Sequence, residues 1–159
     1  SLVVSVTQFH AGEAFNIIPD EILLRGTCRV LDPKIQETLP ERLRRIVEGV
    51  ASTFGAKADL LYHTGYPATV NAKQPSGFCA EVAREIAGSD EAVDLQPAPS
   101  MGAEDFSYML QKKPGCYIWT GNGDTAGLHH PEYDFNDETI AVGASYWARL
   151  VEKRLPKSP

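Results

Sequence analysis

EILLRGTCRVLDPKIQETLPERLRRIVEGVASTFG, from Glu21 to Gly55, contains the order from which the fold can be read. Its first ten residues are rich in aliphatic and β-branched side chains and predict a strand from Glu21 to about Val30. Asp32 followed by Pro33 then signals a helix start: the carboxylate can accept from an amide of the first turn, and proline has no N–H to waste there. Ile35, Leu39, Leu43, Ile46, Val47, Val50 and Phe54 recur at helical spacing and mark one apolar face, and Gly55 supplies the stop. Pro40 lies inside this helix and predicts a kink or a restart.

Upstream, Val4, Val6 and Gln8 alternate with Val3, Ser5 and Thr7, the period of a half-buried strand, until FHAGEAFNIIPDE breaks the pattern from Phe9 onward, a loop punctuated by Gly12 and Pro19. Downstream, AKADLLYHTGYP predicts a third strand over about Ala58 to Thr64. Strand, strand, helix, strand describes an α+β sandwich with a helix covering an antiparallel sheet. NAKQPS, Asn71 to Ser76, is polar and proline-containing and marks a boundary or hinge. Beyond it the pattern predicts a helix over 77–87 with Phe78, Val82, Ala83 and Ile86 inward and Gly88 as its stop. A short helix follows over 104–110, and a buried strand in CYIWTGNG. A last helix, capped by Asn136 or Asp137, carries the stripe Ile140, Ala144, Trp147, Val151 and Leu155 and packs on the sheet.

The chain has 159 residues, 43% of them hydrophobic, and a net charge of −6. That composition supports a core in one domain or two small ones. No apolar run is long enough to cross a bilayer, and the largest basic cluster, Arg42 to Arg45, falls on a helix face, so neither a membrane nor nucleic acid is expected as partner. Cys28, Cys79 and Cys116 are an odd number without CxxC spacing and read as buried free thiols of a cytoplasmic protein. The chain opens directly on strand-like LVVSVTQF, as if in the middle of a longer one. Residues 1–72 hold 7 basic and 8 acidic side chains and residues 73–159 hold 8 and 13. The acidic excess lies with GLHHPEYDFND, Gly127 to Asp137. Adjacent histidines on a proline-stiffened loop can aim a ring nitrogen at a metal, and Asp134, Asp137 and Glu138 could orient the ring or offset an ion's charge. Taken alone, the same pair suits a surface loop before a helix.

FNIIPDEILLRGTCRVLD, PSMGAEDFSYML and GLHHPEYDFNDE, in that order, resemble the amidohydrolase branch of metallopeptidase family twenty, which includes hippurate hydrolases and N-acyl-L-amino-acid deacylases. The resemblance covers nearly the whole chain. It implies an α/β fold in which residues 1–72 are the second half of a ferredoxin-like lid or dimerisation domain. Residues 73–159 would be the C-terminal part of an aminopeptidase-like αβα catalytic domain. It further implies two divalent metal ions (zinc, manganese, cobalt or nickel), an N-acyl amino acid as small-molecule substrate, and a homodimer or higher homo-oligomer formed through the lid. Leu128, His129 and Pro131 match the family's L-H-x-P motif, which makes His129 the metal ligand and His130 a neighbour. Asn16 and Arg29 match lid residues that reach the substrate, the amide toward the acyl oxygen and the guanidinium toward the free carboxylate. Gly102 and Ala103 belong to the loop that walls the pocket. Glu104 and Asp105 resemble an acid/base pair, but the family's base glutamate and remaining ligands precede the segment matched here, so these two are expected to cap the short helix or bond to loop amides. No catalytic residue is then expected in this chain, which would be a fragment inactive alone. A non-catalytic ferredoxin-like binding or dimerisation module is the competing expectation. Nucleotide binding through GNGDTAG, Gly121 to Gly127, fits poorly because a histidine loop rather than a helix follows it.

Overall fold

The computed structural model describes residues 1–156; the last three positions of the segment 73–159 lie outside the described residues. The element order is β1 (Leu2–Ala11), β2 (Ile22–Val30), α1 (Pro33–Thr53), α2 (Lys73–Ala87), α3 (Phe106–Lys112) and α4 (Glu138–Arg154). The chain divides into two compact units, Ser1–Ala68 with Ser100–Ser107, and Thr69–Pro99 with the chain from Tyr108 onward.

In the first unit β1 and β2 form an antiparallel pair, with Leu2 opposite Val30 and Ala11 opposite Ile22. The register slips between Val6 and Gln8, so Thr7 is the extra residue of a bulge. Gly26 sits opposite Val6 beside it, and a Cβ there would collide with the carbonyl oxygen of Ser5, so this crossing requires glycine. β1 runs three residues past the predicted break and turns only at Gly12, whose φ is +68°. Contrary to the half-buried strand expected, Val3, Val4 and Val6 are all exposed, and so are Leu23 and Leu24 across from β1.

α1 starts as its sequence dictates: Asp32 Oδ1 accepts from the Lys34 amide at 2.9 Å. It ends in a left-handed Gly55 (φ +72°), with the Ala56 amide reaching back to the Ala51 carbonyl at 3.0 Å. Pro40 does not restart it as a second element: one helix runs through, because a proline removes a single ladder bond and full turns on both sides carry on. Leu39 is buried, whereas Ile46, Val50 and Phe54 on the same face are exposed. The predicted strand at Ala58 to Thr64 has no regular structure; among the described residues the sheet has only β1 and β2. An alternating run becomes a strand only where a neighbouring edge offers donors and acceptors.

The second unit is built on α2 and α4. Cys79, Val82 and Tyr146 form its buried centre, with Phe78, Ala83, Ile86, Cys116 and Leu150 packed around them. α2 begins at Lys73, so Lys73 to Ser76 of the NAKQPS stretch, expected as a boundary or hinge, form its first turn. Pro75 is tolerated because first-turn amides have no partner within a helix, and the Ser76 hydroxyl donates to the Ala72 carbonyl at 2.9 Å. Gly88, at φ +69°, ends α2 as predicted.

α4 packs against α2. Its inward stripe is Thr139, Gly143, Tyr146, Leu150 and Lys153, while the predicted Ile140, Trp147, Val151 and Leu155 are exposed. Polar partners accompany this rotation: Glu85 on α2 accepts from Arg149 Nε at 2.9 Å and from Lys153 Nζ. The predicted strand at Cys116 is likewise irregular. In place of a neighbouring strand, the Asn71 side chain donates to the Tyr117 carbonyl and accepts from the Tyr117 amide, both at 2.8 Å.

Candidate metal-ligand loop and substrate residues

Asn16 lies exposed in the β1–β2 connection, and Arg29 is half-buried near the end of β2, opposite Val3. Among the described residues Arg29 has no carboxylate partner, so its guanidinium is uncommitted. Its neighbour Cys28 is held in the thiol form by burial, against the opposing pull of Arg29. Tyr62 is raised in the same way, chiefly by burial and then by Cys28.

Gly102 and Ala103 are exposed in the same unit, where the Gly102 amide donates to Ser100 Oγ at 3.2 Å. Glu104 behaves as a cap: its Oε1 accepts from the Phe106 amide at 3.2 Å, and its carbonyl accepts from the buried Ser107 hydroxyl at 2.6 Å. These bonds start α3 at Phe106, two residues after the predicted position. Asn16, Arg29, Gly102 and Ala103 thus share the first unit, and His129 belongs to the second.

The loop between Gly121 and α4 carries His129 and is built by short-range hydrogen bonds. The His130 amide donates to the Gly127 carbonyl at 3.1 Å and the Tyr133 amide to the His130 carbonyl at 3.0 Å, two successive turns through Pro131. His130 Nδ1 accepts from the Glu132 amide at 3.1 Å, so this ring serves the loop. His129 differs from it. Its φ of +70° is the only positive value at a non-glycine position among the described residues, a conformation that histidine tolerates better than most side chains but that still costs energy. Its ring is exposed and makes no hydrogen bond among the described residues. An uncommitted imidazole held out by an unfavourable backbone angle suits a ligand whose partner is an ion. Asp134, Asp137 and Glu138 form no ion pair with it.

Two asparagines hold the ends of this loop: Asn136, expected from the sequence as a helix cap, and Asn122, which sequence reasoning missed. Asn122 Nδ2 donates to the Asp134 carbonyl at 2.7 Å, and Asn122 Oδ1 accepts from the Asn136 amide at 2.8 Å. Asn136 in turn caps α4, accepting from the Glu138 amide at 3.0 Å. The signal available in sequence was Asn122 between two glycines, of which Gly123 adopts φ +85°.

The donor set therefore fits one ligand position and not a complete site. No group of three or more His, Cys, Asp or Glu that could hold an ion occurs among the described residues. The cysteines are not nucleophiles in waiting. Cys79 is buried, Cys28 and Cys116 half-buried, all three are unpaired, and burial pushes the Cys116 thiol up as it does Cys28. No described helix is long and apolar enough to cross a membrane.

Comparison with known proteins places these features in context. The model of peptidase family M20/M25/M40 matches residues 4–153. The chain is 34% identical over 155 residues to a hippurate hydrolase of Campylobacter jejuni, covering 98% of this chain and 40% of that protein. It is 32% identical over 148 residues to an N-acetylcysteine deacetylase of Bacillus subtilis, covering 93% and 38%. Among solved structures, a Bacillus subtilis dinuclear metal-binding peptidase from the M20 family superposes with a TM-score of 0.78 at 31% identity, covering 99% of this chain and 43% of that one. The chain thus spans about two fifths of the length of these relatives.

Proposed function

The chain belongs to peptidase family M20/M25/M40, and from that membership we propose that it forms part of a metal-dependent amidohydrolase. The reaction is hydrolysis of the amide of an N-acyl amino acid, of hippurate or N-acetyl type, to a carboxylic acid and a free amino acid. The observation that carries this proposal is His129 within Leu128-His129-His130-Pro131, exposed, uncommitted and set at φ +70°.

In this scheme His129 supplies one imidazole to a two-ion site, and the other ligands and the general base come from residues outside these 159. A pair of divalent ions supplies Lewis acidity toward the acyl carbonyl and a water acidified toward neutral pH. Asn16 offers its amide to the acyl oxygen, and Arg29 grips the free carboxylate of the amino-acid half through two parallel N–H bonds. Gly102 and Ala103 wall the acyl side without a bulky side chain. Residues 1–72 act as lid and dimerisation segment, and the exposed strand faces of β1 and β2 support that role. A cytoplasmic setting belongs to the same proposal, since three free thiols suit a reducing compartment.

In the full-length enzyme, His129→Ala is expected to lose most activity and part of the bound metal, whereas His130→Ala, whose ring only accepts from the Glu132 amide, loses little. Metal analysis and turnover on hippurate check this, and equal metal content in the His129 variant removes the assignment.

A further inference from the structure

We infer that Asn122 is a positioning residue for the metal ligand His129, an inference that rests on His129 being a ligand. His129 lies seven residues beyond Asn122 and seven before Asn136, near the midpoint of a loop with no helix or strand in it. Such a segment, free at its ends, samples many backbone states, and an imidazole at its middle would be poorly aimed. Asn122 closes it with one side chain. The amide nitrogen donates to the Asp134 carbonyl and the amide oxygen accepts from the Asn136 amide, so both polar atoms of the group span the loop's neck.

The closure is anchored on both sides. On the exit side Asn136 is tied into α4 through the Glu138 amide, and the Thr139 hydroxyl donates to the Asn136 carbonyl at 2.7 Å. On the entry side Tyr117 is fixed by the Asn71 side chain and the Gly115 carbonyl by the Ala72 amide at 2.9 Å, so the chain leading to Gly121 is held against the start of α2. Between these anchors the internal turns to Gly127 and His130 leave His129 as the residue that takes the left-handed angle. A strained angle persists only where its surroundings over-determine it, and Asn122 supplies the closing constraint. Aspartate at 122 keeps the acceptor for Asn136 and loses the donor to Asp134; leucine loses both.

The test uses the full-length enzyme loaded with cobalt(II), with three readouts: dissociation constant for cobalt, its visible absorption spectrum, and deuterium exchange of the loop peptide containing His130 and Tyr133. Asn122→Leu is expected to weaken cobalt binding by about 10- to 100-fold, the range for groups that orient metal ligands. It is also expected to change the ligand-field bands and to speed exchange in the loop, with Asn122→Asp intermediate. His129→Ala serves as reference. If His129→Ala loses metal while Asn122→Leu keeps wild-type affinity and spectrum, the inference about Asn122 is overturned and the ligand assignment stands. If His129→Ala itself keeps both ions, the ligand assignment has failed instead. Lower thermal stability of Asn122→Leu with an unchanged cobalt spectrum also overturns the positioning role. Should the leucine variant not fold, Asn122→Asp carries the test, and wild-type affinity and spectrum in it are equally fatal.

Discussion

Arg29 sits half-buried on β2 with no carboxylate beside it among the described residues. A guanidinium left without a counter-charge is costly unless water or a ligand satisfies it, and an anionic substrate group does so with two charge-assisted bonds. In the full-length enzyme Arg29→Ala should therefore raise KM by about 10- to 100-fold for substrates with a free carboxylate, with little change in kcat. Arg29→Lys should rescue little of this, because an ammonium cannot reproduce the planar fork. Steady-state kinetics on hippurate and its amide provide the check: an unchanged KM, or equal losses on both, takes Arg29 out of the pocket. At this scale the sequence was informative wherever chemistry is local. Asp32 as cap, Gly55 and Gly88 as stops and Glu104 as a cap each depend on neighbours within a few positions, and all four are found. The positive φ of His129 and the clamp of Asn122 on Asp134 and Asn136 were not legible, because they depend on bonds that close a loop and leave no periodic trace.

α4 shows where element-scale inference stops. The helix carries apolar residues on two adjoining faces, and spacing alone ranked Ile140, Trp147 and Val151 above Tyr146 and Leu150. The face that packs on α2 is set by what α2 offers: Cys79 and Val82 against Tyr146, and Glu85 against Arg149 and Lys153. Strand prediction failed for the same kind of reason at 58–64 and 116–123, since a strand is a relation between two segments. Glu85 makes this relation measurable. Hydrogen bonds from Lys153 and then Arg149 hold its carboxyl below the usual carboxylate range. With the folded value lowered, the stabilisation is fully present above the unfolded value and is lost as pH falls through the folded one. The α2–α4 contact is accordingly expected to weaken below the ordinary glutamate range, and less steeply in Glu85→Gln. Thermal midpoints of wild type and variant should converge on acidification, and raised salt should shrink the gap, as for an exposed ion-pair network. A constant gap between neutral and acid pH sinks this account.

At the scale of the whole molecule, burial and function point the same way. Among the described residues Leu39, Cys79, Val82 and Tyr146 are the buried apolar ones, whereas Phe15 and Ile18 near the Asn16 motif, Phe54 at the end of α1, and Leu61 are largely exposed. A lone two-stranded hairpin is marginal in water, and here most of both strands stays exposed among the described residues, β2 being half-buried only at residues 28–30. The described residues include the uncommitted imidazole of His129, proposed above as a metal ligand, but no cluster of three or more candidate ligands, and a two-ion site needs several. Both shortages are met if further polypeptide packs on these faces and supplies the other ligands, consistent with relatives of which this chain spans about two fifths. The 159-residue chain produced alone is therefore expected to release no amino acid from hippurate or N-acetylcysteine. It should bind manganese or zinc no more tightly than a single exposed imidazole does, and should melt over a broad range. Co-expression with the rest of the full-length protein should restore hydrolysis, abolished by chelation and regained with divalent metal. Two tightly held ions and turnover in the isolated chain would show that the site is complete within it, and would overturn the division of labour argued for His129, Asn16 and Arg29.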